Sequence, residues 1–126
     1  MTWICVVDDE PDVCDVLTEA LRGAGYGARS FPDGSDALEA IEQALEPPRL
    51  VILDVLLARM SGREVLRLLR TGHRVPDVPV LVITGMDVDR AYFAPWPILA
   101  VLRKPVAVEE LLATVARAVP LPRKRG

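Results

Sequence analysis

The chain has 126 residues, 51% of them hydrophobic and 26% charged, and its 15 basic and 18 acidic side chains leave a net charge of −3. One domain fits in that length, large enough to bury about two-thirds of the surface its unfolded form exposes, and the composition excludes disorder as the default. Mild acidity argues against a nucleic-acid surface, no apolar run approaches the roughly 20 residues of a membrane span, and an N-terminus that meets Asp8 and Asp9 with no basic segment before them does not read as a signal peptide.

Trp3 to Val7 is a short run of strand formers. Pro11 then opens a helical pattern with Val13, Val16, Leu17, Ala20 and Leu21 on one face, and Gly23, Gly25 and Gly27 end it. Ala28 to Phe31 is a weaker strand. Pro32-Asp33-Gly34 makes a turn, and Ser35 is placed to cap a second helix with Leu38, Ile41 and Leu45 inward, stopped at Pro47-Pro48. Leu50 to Leu53 is a third strand ending at Asp54. A loop through Ser61-Gly62 leads to a third helix carrying Val65, Leu66, Leu68 and Leu69, whose Arg67 and Arg70 read as a solvated face.

Pro79 to Ile83 is the fourth strand, ending at Thr84-Gly85, and Ile98 to Leu102 is the fifth, ending at Arg103-Lys104-Pro105. Between them Asp87 to Phe93 has room for about two helical turns before Pro95 and Pro97 prevent continuation, so a fourth helix should be short or irregular. The last helix runs from about Val108 to Val119, with Leu111, Leu112, Val115 and Val119 inward, and Pro120 and Pro122 break it. Residues 1–120 therefore read as one domain, and 121–126, with Arg123-Lys124-Arg125, as a short basic tail or the start of a linker. Cys5 and Cys14 lack a metal-ligand partner at CxxC spacing and read as buried reduced thiols; His73, between the third helix and fourth strand, reads as exposed.

Apolar strands alternating with helices predict an α/β domain, a doubly wound five-stranded parallel sheet with helices on both faces. In such a sheet, ligands bind beyond the carboxyl ends of the strands. Four apolar runs end there in polar groups: Asp8 and Asp9 after the first, Asp54 after the third, Thr84 after the fourth and Lys104 after the fifth. One acid at a strand end is ordinarily a helix cap or a solvated loop residue; an ordered set on four strands is far more specific. Three close carboxylates raise one another's pKa unless cations join them. Lys104 brings one positive charge, and the remaining all-oxygen set suits Mg²⁺. A carboxylate beside Mg²⁺ and an ammonium can attack phosphorus and become an acyl phosphate, its phosphoryl oxygens held by metal, lysine and threonine hydroxyl.

With these residues in place, about residues 2 to 119 resemble the response-regulator receiver domains of two-component signalling, a CheY-like superfamily with a flavodoxin-like fold. Val6-Val7-Asp8-Asp9-Glu10-Pro11 is similar to the family's opening acidic motif, Asp33-Gly34 with Ala37-Leu38 to its second-helix entry, and Val51-Ile52-Leu53-Asp54 to its phosphoacceptor strand. Gly62 stands at the loop glycine, Thr84 at the hydroxyl position, and Lys104-Pro105 at the lysine followed by a cis proline.

The resemblance implies that Asp54 is the phosphorylated nucleophile. It implies Mg²⁺ ligation by Asp9 directly, by Asp8 directly or through water, by Asp54, and by the Leu56 backbone carbonyl. Thr84, the Gly85 amide and Lys104 would hold the phosphoryl group. The donor would be a phosphohistidine on a sensor histidine kinase or phosphotransfer protein, in the cytoplasm, with output through a protein partner or a homodimer and no DNA contact of its own. The chain would thus be a switch that catalyses only its own phosphorylation and dephosphorylation. The Met1 start favours a stand-alone regulator or an N-terminal receiver.

The sequence departs from the pattern in several places. The switch aromatic, three residues before the lysine, is Val101, so the usual coupling to Thr84 is altered. The segment from Thr84 to Lys104 is short, and the dimer face around it is not carried over. Ala58 replaces a common loop proline, a small effect of under about 1 kcal/mol. Leu56 and Met86 are apolar where polar residues help water attack, implying a slowly hydrolysed phosphoryl group. Two other readings compete: a pseudo-receiver that only binds partners, and an aspartyl-phosphate phosphatase, for which Leu56 occupies the place of the general acid.

Overall fold

A computed structural model describes residues 2–121. Five strands, β1 (Trp3–Val7), β2 (Gly27–Phe31), β3 (Leu50–Asp54), β4 (Val80–Thr84) and β5 (Ala100–Arg103), form one sheet in the order β2-β1-β3-β4-β5. Every neighbouring pair is parallel. Three helices, α1 (Pro11–Gly23), α2 (Gly34–Gln43) and α3 (Gly62–Thr71), cross between strands, and a fourth, α4 (Val108–Ala118), follows β5. The doubly wound architecture expected from the alternation is the one observed.

Strands β1, β3 and β4 are buried along their whole length. Alternate side chains enter different layers, because successive residues of a strand point to opposite faces. Cys5, Val7, Val51, Leu53 and Val82 join Ile41, Val65 and Leu69 of α2 and α3. Ile4, Val6, Ile52, Leu81 and Ile83 join Leu17, Leu21, Leu111 and Val115 of α1 and α4. Each such Leu, Ile or Val contributes about 1.5–3 kcal/mol of transfer free energy. Both cysteines are free and buried, and burial pushes the Cys5 thiol up to about 12, which keeps it protonated and unreactive.

Local chemistry sets the helix ends. Pro11 opens α1, and Gly25, at φ +104°, supplies the left-handed turn behind it. Asp33, not Ser35, caps α2: its side chain accepts the Asp36 N–H at 2.8 Å, and the backbone becomes helical at Gly34. Leu45 lies beyond α2 and is fully exposed, so it is not part of the inner face, because the helix ends at Gln43. Ser61 caps α3 through the Glu64 N–H. The fourth crossover holds only a 3₁₀ turn, Arg90–Phe93, capped by Asp89, the short irregular element that the prolines demand. Strand β5 starts at Ala100, two residues later than Ile98.

Arg70 is not a solvated residue. Its guanidinium donates to the carbonyls of Val78 (2.7 Å) and Pro97 (2.9 Å) and clasps the entries to β4 and β5 to α3. Arg67 pairs with Glu64 on the outer face, and His73 is exposed, as expected. Leu121 is exposed. The rest of the expected basic tail, 122–126, lies outside the described residues.

Candidate functional site

The polar groups at the strand ends meet. Asp8 extends β1, its N–H bonded to Phe31 O at 3.1 Å, and its carboxylate is fully buried. Oδ1 accepts the Glu10 N–H at 2.9 Å, and the backbone carbonyl accepts Cys14 Sγ at 3.1 Å. Asp54 ends β3 and is also buried; its Oδ1 accepts the Leu56 N–H at 3.3 Å. The loop after Asp54 returns so tightly that the Gly62 N–H donates to Val55 O at 2.8 Å. A β-carbon at Gly62 would lie 2.4 Å from the Asp54 carbonyl oxygen, so only glycine fits.

Lys104 joins the two buried acids. Its backbone N–H donates to Thr84 O at 2.8 Å, which carries the β4–β5 ladder past the strand and sets the direction of the side chain. Its Nζ donates to Asp54 Oδ2 at 3.3 Å and to Glu10 Oε1 at 3.1 Å. Asp8 Oδ2 lies 2.9 Å from Nζ but off the hydrogen-bond direction, and accepts no hydrogen bond from any described residue. The peptide bond from Lys104 to Pro105 is cis, as is that from Ala94 to Pro95.

Burial raises the pKa of Asp54 above the usual carboxylate value, and the charge of Asp8 adds to it; Lys104 works the other way. Burial opposes the charge on Lys104, yet the surrounding carboxylates of Asp8, Glu10 and Asp54 outweigh it and hold the ammonium above the ordinary lysine value.

Thr84 is buried at the end of β4, and its Oγ1 accepts the Met86 N–H at 3.0 Å, leaving the hydroxyl proton free to donate elsewhere. Gly85 is exposed beside it. Arg103, which sequence reasoning left without a role, forms an ion pair with Asp87 at 3.2 Å across this loop.

The structure also draws in Glu10. One carboxylate oxygen from each of Asp8, Asp9, Glu10 and Asp54 lies within 4.8 Å of the others. Sequence reading placed Glu10 only within the opening acidic motif. These residues pass a test for a hard divalent cation: the donors are all oxygen, their charges exceed that of Lys104, and Asp8 Oδ2 is a buried carboxylate oxygen short of a hydrogen bond.

Val101 is half-buried in the layer under α2 and α3. Aromatic bulk on that side comes from Phe93 of the 3₁₀ turn, which is fully buried. Tyr92 meets Phe93 edge-on at 5.1 Å and lies under the Arg63 guanidinium at 5.2 Å. Leu56 is 63% exposed.

A doubly wound parallel sheet with its acids and lysine gathered at the strand ends defines a CheY-like α/β protein. The family model "Response regulator receiver domain" matches residues 4–116, and the chain belongs to that family, whose members act in two-component systems. Response regulator MprA of Mycolicibacterium vanbaalenii is 42% identical over 113 residues, 87% of this chain and 47% of its own. The DNA-binding dual master transcriptional regulator RpaA of Synechocystis is 34% identical over 117 residues, 91% of this chain and 48% of its own. The chain thus spans about half the length of these relatives. Chemotaxis protein CheY4 of Vibrio cholerae superimposes with a TM-score of 0.83 at 25% identity, covering 94% of this chain and 99% of that one. A CheY-like receiver domain protein from Methanospirillum hungatei gives 0.80 at 25% identity, over 93% and 92%. Among the described residues no helix is long and apolar enough to cross a membrane.

Proposed function

We propose that this receiver is a phosphorylation switch charged at Asp54. The observation that carries the reading is the pair of buried carboxylates, Asp8 and Asp54, converging on the one ammonium of Lys104. An Asp54 oxygen forms the new bond to phosphorus as the P–N bond of a phosphohistidine breaks, and the imidazole nitrogen keeps the electron pair. Asp8, Asp9, Asp54 and the Leu56 carbonyl would hold Mg²⁺, which when bound neutralises charge on the phosphoryl oxygens. Lys104 donates to those oxygens from one side and the free Thr84 hydroxyl proton from another, with the Gly85 amide as a third donor.

The donor is a sensor histidine kinase or phosphotransfer protein, with a cytoplasmic location to match. Output passes through a protein partner or a second copy of the chain rather than through catalysis on other substrates. Val101, three residues before Lys104 and in register with Val82, takes the place of the switch aromatic.

The test is incubation with acetyl phosphate and Mg²⁺, read by intact mass. One phosphoryl group is expected, absent with EDTA and absent in Asp54→Asn. No adduct, together with no Mg²⁺ or beryllofluoride binding, would overturn the reading in favour of a binding module that is never phosphorylated.

A further inference from the structure

The proposed switch leaves the Glu10 side chain without a task. Glu10 is the N-cap of α1, a position whose side chain ordinarily bonds the unpaired amides of the first turn. Here it makes no capping bond. Its backbone is fixed instead, because Asp8 Oδ1 holds its N–H at 2.9 Å, and its carboxylate reaches across to β5, where Oε1 accepts from Lys104 Nζ at 3.1 Å.

An ammonium has three N–H donors. In Lys104 one goes to Asp54 and one to Glu10. The Asp8 and Asp54 side chains lie inside, at 0% and 5% exposure, whereas that of Glu10 is 61% exposed and that of Lys104 17%. Glu10 is therefore the water-side member of the cage and draws the ammonium outward. A phosphoryl group on Asp54 brings oxygens that compete with Glu10 for the ammonium, and negative charge that the Glu10 carboxylate repels.

We propose that Glu10 is a positioning residue for Lys104: it latches the ammonium toward the mouth of the site at rest and has to release it when a phosphoryl group occupies Asp54. This rests on the proposed switch. Asp54 and Lys104 supply the chemistry, and Glu10 sets how readily Lys104 can follow.

The experiment compares wild type with Glu10→Gln and Glu10→Asp, after thermal melts confirm that all three fold. Gln removes the charge, whereas Asp keeps it but is one methylene too short to span the contact. Two readouts are taken. The first is the beryllofluoride dissociation constant at saturating Mg²⁺. Both variants should bind about two- to fivefold more tightly, the scale of a partly exposed ion pair. The second needs no ligand. The chain has two lysines, Lys104 and Lys124, so ¹⁵N-lysine labelling with Lys124→Arg isolates the Lys104 ammonium signal. It should be protected from solvent exchange in wild type and broadened in both variants.

An Asp variant that matches wild type in both readouts would overturn the latch, since charge alone would then account for Glu10. Weaker beryllofluoride binding in the variants would also overturn it. Should wild type neither bind beryllofluoride nor take a phosphoryl group, the switch reading fails. The ammonium signal then still decides whether Glu10 holds Lys104.

Discussion

The backbone of Gly62 touches the backbone of Asp54: a β-carbon at Gly62 would stand 2.4 Å from the Asp54 carbonyl oxygen and 2.8 Å from Val55 Cα. The first turn of α3 is thereby seated on the end of the strand that carries the central carboxylate, and the Ser61 cap fixes its start. Neither neighbour is the flexible end of a side chain, so neither can swing away. Gly62→Ala should cost about 1–3 kcal/mol, seen as a lower urea midpoint at unchanged m-value, with weaker phosphoryl transfer because the Asp54 loop shifts.

Asp54→Asn should stabilise the metal-free protein near neutral pH by a few degrees in Tm. Burial and Asp8 hold the Asp54 pKa above its unfolded value. The sign follows. Such an acid gives its best stability below the unfolded pKa, near 3.9, and loses it as pH climbs through the raised folded value. The advantage of the Asn variant should therefore be absent at about pH 3.5 and grow toward pH 7. Saturating Mg²⁺ should shrink it. Thermal melts of both proteins across that range, with and without metal, check this.

Removing Lys104 should have the opposite effect. Its raised pKa means that its contribution is complete below the unfolded lysine value, about 10.4, and fades only as pH rises through the folded one. Lys104→Met leaves Asp8 and Asp54 buried without their cation, a loss on the order of 3 kcal/mol at pH 7. Mg²⁺ should recover part of it, and the double variant Lys104→Met with Asp54→Asn should recover more than additivity allows.

The phosphoryl group should be long-lived. Leu56 follows Asp54 by two residues and lies open at 63% exposure, with no group that could orient a water molecule. Met86 stands at the matching place after Thr84 and bonds Oγ1 only through its backbone N–H. Leu56→Asn should speed loss of the phosphoryl mass by at least about tenfold in Mg²⁺ buffer, a modest share of what positioned polar groups can supply. Equal lifetimes in the two proteins would remove Leu56 from the account.

Much of this arrangement is written in local pattern. Runs such as Val51-Ile52-Leu53 have no polar face to offer solvent, so they locate the central strands, and the parallel topology follows from the helices between them. The five strand-end groups follow from that topology, because each stands at the carboxyl end of its strand. What escaped depends on long-range geometry. The claim of Asp33 over Ser35 turns on where the backbone becomes helical. Arg70 looks like any exposed helix residue until β4 and β5 bring the carbonyls of Val78 and Pro97 beneath it. Glu10 reads as one more acid in a run, and only the cross-sheet reach to Lys104 distinguishes it.

The strand order has a consequence in time. β1, β3 and β4, which present Asp8, Asp54 and Thr84, lie side by side in the interior of the sheet, whereas Lys104 follows β5 on its rim. Interior strands open with the whole molecule, and rim strands open in smaller, cheaper fluctuations. The anionic half of the site thus stands on strands that part only when the whole molecule does, and its cation follows a rim strand that can part on its own.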